Sequence, residues 1–151
     1  MKLSGDLREF IELLNSKKVD YLVVGAHALA WHGLPRYTGD LDFFISSDPE
    51  NTSVMIDVLD KFGFSSLGLK EEDLQIPDSV IQLGVAPNRI DLLTGLSGVT
   101  WEEAWASREK GKIDGLPVFL LSKSDLLRNK IATGRPQDLA DVERLKDLEE
   151  S

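Results

Sequence analysis

Two aspartates open an apolar run in this chain, Thr38-Gly39-Asp40-Leu41-Asp42-Phe43-Phe44-Ile45. Strand side chains alternate faces, so Asp40 and Asp42 share one face while Leu41, Phe43 and Ile45 point the other way, into a core. Two carboxylates side by side repel unless something positive lies between them. Mg²⁺ prefers hard oxygen ligands and is often held by a few carboxylates plus substrate phosphates. The pair is therefore suited to a phosphate-bound Mg²⁺. The bland alternative is a solvated turn at the start of a strand.

A third acid has a similar setting. In Arg89-Ile90-Asp91-Leu92-Leu93, the neighbours Ile90 and Leu92 want the core. An acid inside an apolar strand needs a reason, because such residues are rarely buried unless paired. Asp91 either faces out of the same sheet as Asp40 and Asp42 or is a structural acid paired with Arg89 or Arg36. If the two strands are neighbours, three carboxylates converge. Two metals roughly 3.5–4 Å apart could then clamp the attacking and leaving oxygens of an in-line displacement.

The rest of the chain alternates helical and strand patterns. Leu7, Phe10, Ile11 and Leu14 have helical spacing, with Ser4 as N-cap. Tyr21 to Val24 is a short strand ending at Gly25. Ala26 to Trp31 reads as a helix closed by Gly33 and stopped by Pro35, with His32 near its last carbonyls. Leu41 to Ile45 is the second strand, and a helix runs from Asp48-Pro49 to Gly63. Val80 to Leu83 and Arg89 to Leu93 are strands around a turn at Ala86-Pro87-Asn88. Thr100-Trp101-Glu102-Glu103 has capping-box spacing. Leu116 to Leu121 is a strand, and a helix from Ser122 ends near Thr133-Gly134. Pro136 opens the last helix, with Leu139, Val142 and Leu145 as its apolar stripe and Asp138 and Asp141 as first-turn acids that can pair with Arg135. The expected architecture is α/β (α+β): a small mixed sheet flanked by helices, with a helical tail. It forms a single domain over 1–151, with a core at about 18–121 and C-terminal helices at about 122–150.

Composition narrows the function. The 151 residues include no cysteine, so no thiolate metal site exists and a reducing, cytoplasmic setting fits. The amino terminus is polar at once, unlike a signal peptide, and no apolar run nears the ~18–20 residues of a membrane span. With 17 basic and 26 acidic residues the net charge is −9, which disfavours long nucleic acid as a partner. His27 and His32 are five residues apart, which does not match the zinc-binding helical spacing of four.

Gly25-Ala26 leads from a strand straight into a helix, where backbone N–H groups suit phosphate and glycine allows close approach. Together with Asp40-Leu41-Asp42 and Asp91, it resembles the nucleotidyltransferase superfamily, of DNA polymerase beta-like fold. That pattern is an apolar strand, Gly-Gly or Gly-Ser, roughly ten residues, Asp-x-Asp, and a third Asp on a later strand. The stretches from His32 to Asp42 and from Lys130 to Asp141 are similar to a bacterial, minimal-nucleotidyltransferase-like branch. The resemblance runs from about Asp20 to Leu145. One position departs: Ala26 stands where the family has its second Gly or Ser, and it offers a phosphate an N–H but no hydroxyl.

The resemblance implies that Asp40, Asp42 and Asp91 are the catalytic and metal-binding acids, holding Mg²⁺ or Mn²⁺. It implies transfer of a nucleoside monophosphate from an NTP, ATP favoured, to an acceptor such as a small antibiotic, a protein hydroxyl or an RNA end. Gly25, Ala26, Arg36, Thr38, Lys130 and Arg135 are the candidate nucleotide-binding residues. A domain of this size has no separate acceptor domain, so a homodimer or a small helical partner protein could complete the site. The rival reading is a catalytically weak or inactive member that acts as a binding partner in a toxin–antitoxin or phage-defence pair. Haloacid-dehalogenase phosphatases and many glycosyltransferases also carry Asp-x-Asp, but there the apolar strand precedes the acids, whereas here it follows them.

Overall fold

The computed structural model describes residues 3–36, 38–84 and 89–150, without the side chains of 149 and 150. The expected turn at Ala86-Pro87-Asn88 lies outside the described residues. Six helices and six strands follow in chain order: α1 (Gly5–Ser16), β1 (Tyr21–Val24), α2 (Gly25–Trp31), β2 (Leu41–Ile45), α3 (Pro49–Phe62), β3 (Val80–Leu83), β4 (Ile90–Leu93), α4 (Trp101–Ala106), β5 (Glu109–Ile113), β6 (Leu116–Leu120), α5 (Lys123–Thr133) and α6 (Pro136–Glu150). Short 3₁₀ turns at Ser65–Leu67 and Glu71–Gln75 link α3 to β3.

The helix starts follow their caps. Ser4 Oγ accepts from the Leu7 N–H at 3.3 Å, and Thr100 and Glu103 form the reciprocal capping box. Asp48 caps α3 with Pro49 at its first position, and Gly63 ends it in the left-handed region.

The strands form one mixed sheet in the order β3-β4-β2-β1-β6-β5. β1 runs antiparallel to β2, β2 parallel to β4, and β1 parallel to β6. Pleat alternation splits the central strands between two cores. Tyr21, Val23, Leu41, Phe43, Ile45, Ile90 and Leu92 join α1 and α3 on one face. Leu22, Val24 and Phe44 join Leu29, Ala104, Leu126 and Leu145 of α2, α4, α5 and α6 on the other, with Leu93 packed against them. Asp42 and Asp91, at the alternate positions, belong to this second face. The side opposite the Leu41–Phe43–Ile45 core is thus itself covered by helices beyond Phe44, and the acids stand where that apolar layer ends.

Three expectations change. Glu109–Ile113 forms a strand although its sequence, Glu-Lys-Gly-Lys-Ile, shows no apolar alternation. It pairs antiparallel with β6 through a two-residue turn, Asp114-Gly115, with φ of 50° and 79°. Positive φ at both residues is the type I′ hairpin geometry that matches strand twist. Leu139 is 47% exposed, so the buried stripe of α6 is Val142 and Leu145 with the acids Asp138 and Asp141. His32, not Gly33, caps α2, and its Nε2 donates to the Leu121 carbonyl at 2.8 Å, at the end of β6 rather than to the helix. Among the described residues no helix is long and apolar enough to cross a membrane.

Candidate active site

The register of the sheet sets the site. In the parallel ladder Asp42 of β2 lies opposite Asp91 of β4, and across the antiparallel ladder Asp42 lies opposite Val24, the last residue of β1. The next residue, Gly25, turns the chain into α2 at φ +68°. A Cβ built on Gly25 would stand 2.1 Å from Asp42 Oδ2. Glycine is required there twice, by the backbone angle and by the carboxylate pressed against its Cα.

Burial and the negative charge of Asp91, followed by that of Asp40, push Asp42 up to about 7. Asp91 is 8% exposed, and both its oxygens accept from Arg89: Nε to Oδ1 at 2.9 Å and Nη2 to Oδ2 at 3.2 Å. The same Nη2 reaches Asp40 Oδ2 at 3.2 Å. Asp40 therefore joins the pair through a guanidinium, just outside the start of β2. Its backbone is fixed from two sides. The Asp40 N–H donates to Thr38 Oγ1 at 3.0 Å, and the same hydroxyl donates to the Asp40 carbonyl at 3.4 Å. Thr38 thus shapes the turn before the acids. Burial lowers the affinity of His27 for a proton, and its Nε2 has no partner among the described residues.

The basic candidates gather on the other side of Gly25. A cavity of about 330 Å³ is lined by Gly25, Ala26, Arg36, Lys130 and Arg135, together with Gln137 and Asp138. Five of the six residues expected to bind nucleotide meet there, Thr38 being the exception. Gly25 is the hinge between this cavity and Asp42. A separate cavity of about 170 Å³, lined by His27, Trp31, Lys112 and Asp114 among others, gathers none of the expected site residues.

The three cations are held by two buried acids of α6. Asp141, wholly buried, takes Arg36 in a fork, Nη2 at 2.7 Å and Nη1 at 3.3 Å. It also accepts from Lys130 Nζ at 2.9 Å and Gln137 Nε2 at 3.0 Å. Burial alone would raise Asp141, but these three donors outweigh it and hold the carboxyl well below the usual range. Asp138 accepts from Arg135 Nε at 2.7 Å and Thr133 Oγ1 at 2.8 Å, with Lys130 Nζ at 3.6 Å. Chiefly through Arg135, it is lowered to about 2. Three cations on two carboxylates leave a net positive wall on a chain of charge −9.

The sequence assigns His27 no role. Asp138, expected as a first-turn acid paired to Arg135, is found so; Asp141 lies a turn further on and pairs with Arg36 and Lys130 instead. The legible signal was their spacing: i,i+3 on a helix puts two acids on one face, beside the stripe of Val142 and Leu145. Arg89, one of the two partners the sequence offers Asp91, is the one that pairs with it.

The donors suit a hard divalent ion in type, being carboxylate oxygens facing each other across a ladder, with Asp42 hard to ionise as they stand. Among the described residues, no three His, Cys, Asp or Glu side chains form a ready metal cluster.

No protein of curated function matches the sequence. Among solved structures the fold is similar to the crystal structure of "a putative nucleotidyltransferase (TM1012) from Thermotoga maritima", at 16% identity and a TM-score of 0.53, over 95% of this chain and 88% of that one. At that identity the likeness speaks for the fold, which is the mixed α/β nucleotidyltransferase fold expected from the sequence. A family model matches residues 2–148, nearly the whole sequence, and by that match the chain belongs to the family described as nucleotidyltransferase of unknown function (DUF6036).

Proposed function

We propose that this chain transfers a nucleoside monophosphate from an NTP, with ATP the favoured donor, to an acceptor hydroxyl. One observation carries the reading: Gly25 brings the basic cavity of Arg36, Lys130 and Arg135 directly against the carboxylate of Asp42, itself opposed to Asp91. A triphosphate needs cations along its tail and a carboxylate-lined reacting end, and Gly25 is where the two adjoin.

In the reaction the acceptor oxygen attacks the α-phosphorus, the bond from that phosphorus to the bridging oxygen breaks, and pyrophosphate leaves with the electron pair. Arg36 and Arg135 bind the leaving phosphates through the guanidinium N–H groups that Asp141 and Asp138 leave free, and Lys130 acts as a point charge. Gly25 and Ala26 line the same cavity, where glycine lets the phosphate come close. Asp91 orients the acceptor hydroxyl and helps take up its proton. Asp40, Asp42 and Asp91 would hold Mg²⁺ or Mn²⁺, which when bound supplies charge neutralisation and polarises phosphoryl oxygens. Catalysis is then positioning and electrostatics, as in other phosphoryl transfers. The net charge of −9 disfavours a long nucleic acid as acceptor and leaves small molecules, protein hydroxyls and short RNA ends.

The test is a pair of labelled donors. With a desalted bacterial extract as the source of acceptor, label in the α-phosphate of the NTP should pass to a product while label in the γ-phosphate is released as pyrophosphate. Asp42→Asn should abolish both. Transfer of the γ-label, or equal transfer by Asp42→Asn, would refute the reading.

A further inference from the structure

The acidic site already contains a cation. Arg89 lies immediately before β4, two residues ahead of Asp91, and reaches the same face. Its guanidinium occupies both oxygens of Asp91 and one oxygen of Asp40. Charge-assisted forks of this kind are strong, and arginine cannot escape them by losing its proton. The head group is nonetheless removable. The Arg89 side chain is 32% exposed, so it can turn into solvent without opening a core. Its main chain stays in place, because the Arg89 carbonyl accepts from the Leu41 N–H at 2.9 Å in the β2–β4 ladder. Backbone anchored and head exposed is the build of a side chain that can exchange partners.

Resting on the metal-site reading given above, we propose that Arg89 is a built-in counter-cation which a divalent ion must displace from Asp40 and Asp91 in order to bind. Arg89 holds the acids together against their own repulsion and competes with the ion for the same oxygens. It thereby sets the metal affinity of the site: strong enough for the fold to keep three acids close, weak enough to yield to a doubly charged ion. The displaced guanidinium remains on the same strand end, at the margin of the site.

Mn²⁺ titration, followed by the electron paramagnetic resonance of the free ion, tests this on the wild type, Arg89→Gln, Arg89→Lys and Asp42→Asn. Arg89→Gln should bind Mn²⁺ about tenfold tighter or more, since the ion no longer breaks a charge-assisted fork. Arg89→Lys keeps the charge, loses the fork, and should fall between. In EDTA the melting temperature of Arg89→Gln should drop below the wild type, and Mn²⁺ should raise it by more than it raises the wild type. If folded Arg89→Gln and Arg89→Lys bind Mn²⁺ no tighter than a wild type that does bind it, the counter-cation role is overturned and the metal site stands. If the wild type binds no Mn²⁺, or Asp42→Asn binds it equally, the metal site itself falls and this inference with it.

Discussion

At the scale of single residues, the account rests on Gly25 and Asp42. Gly25→Ala asks for a Cβ where Asp42 Oδ2 already lies 2.1 Å away, at a backbone angle of +68°. The variant should lose about 1 kcal/mol or more of stability, and NTP binding should fall with it. A thermal melt and a nucleotide titration read the two effects. Asp42 makes a second prediction. Its carboxyl is raised in the folded protein, mainly by burial and then by Asp91, to about 7. The folded state therefore holds a proton that the unfolded state releases near its ordinary value of 3.8. Through this group, stability should fall as pH rises from about 4 to about 7. Asp138 works in the opposite sense: lowered to about 2, it lends stability above its ordinary value of 3.8 that is lost in stronger acid. Urea unfolding in EDTA at pH 5 and pH 8 should show a decline that Asp42→Asn flattens; an equal decline in the variant would contradict it. The three acids were legible as residues because two periodicities agree, apolar positions one way and acids the other. The burial of Asp138 and Asp141 was not. Asp138 stands in the first helical turn, where an acid ordinarily complements the helix dipole in solvent, and Asp141 a turn further on; only the seating of α6 against α5 buries both around Lys130.

At the scale of elements, the strands that position the acids could be read almost to the residue, because β1, β2 and β4 are apolar and central. β5 could not. It is an edge strand of Glu, Lys and Gly, a composition that discourages edge pairing between chains and carries no periodic pattern. Only its Asp-Gly turn betrays it, since the pair supplies two positive φ angles. The α5–α6 hairpin matters more to function, because it carries Lys130, Arg135, Asp138 and Asp141 as a unit. Leu145, fully buried in the second core, anchors α6 to that face of the sheet without lining the cavity. Leu145→Ala should cost about 2–5 kcal/mol of stability. In the folded fraction it should also weaken NTP binding, because the holders of the cations shift. Unchanged binding with a lowered unfolding midpoint would show that α6 merely packs there.

At the scale of the whole molecule, the charge distribution counts more than the total. A chain of −9 concentrates Arg36, Lys130 and Arg135 around one cavity and three acids on the other side of Gly25. The total charge, read from the sequence, argues against long polyanions; the local reversal that suits a triphosphate depends on the fold bringing residue 36 to residues 130–141. The order Gly25, Asp-x-Asp, Asp91 was enough to name the fold, since it ties three neighbouring strands to one point. Which cations share that point was set by helices far along the chain. The central claim is that this point binds a divalent ion and a nucleoside triphosphate together. Calorimetric titration of each of the four NTPs with Mg²⁺ into the wild type and Asp42→Asn tests it most directly. The account predicts Mg²⁺-dependent binding of at least one NTP, ATP foremost, that disappears in Asp42→Asn. Absence of binding by any NTP at millimolar concentration, or equal binding by the variant, would contradict it.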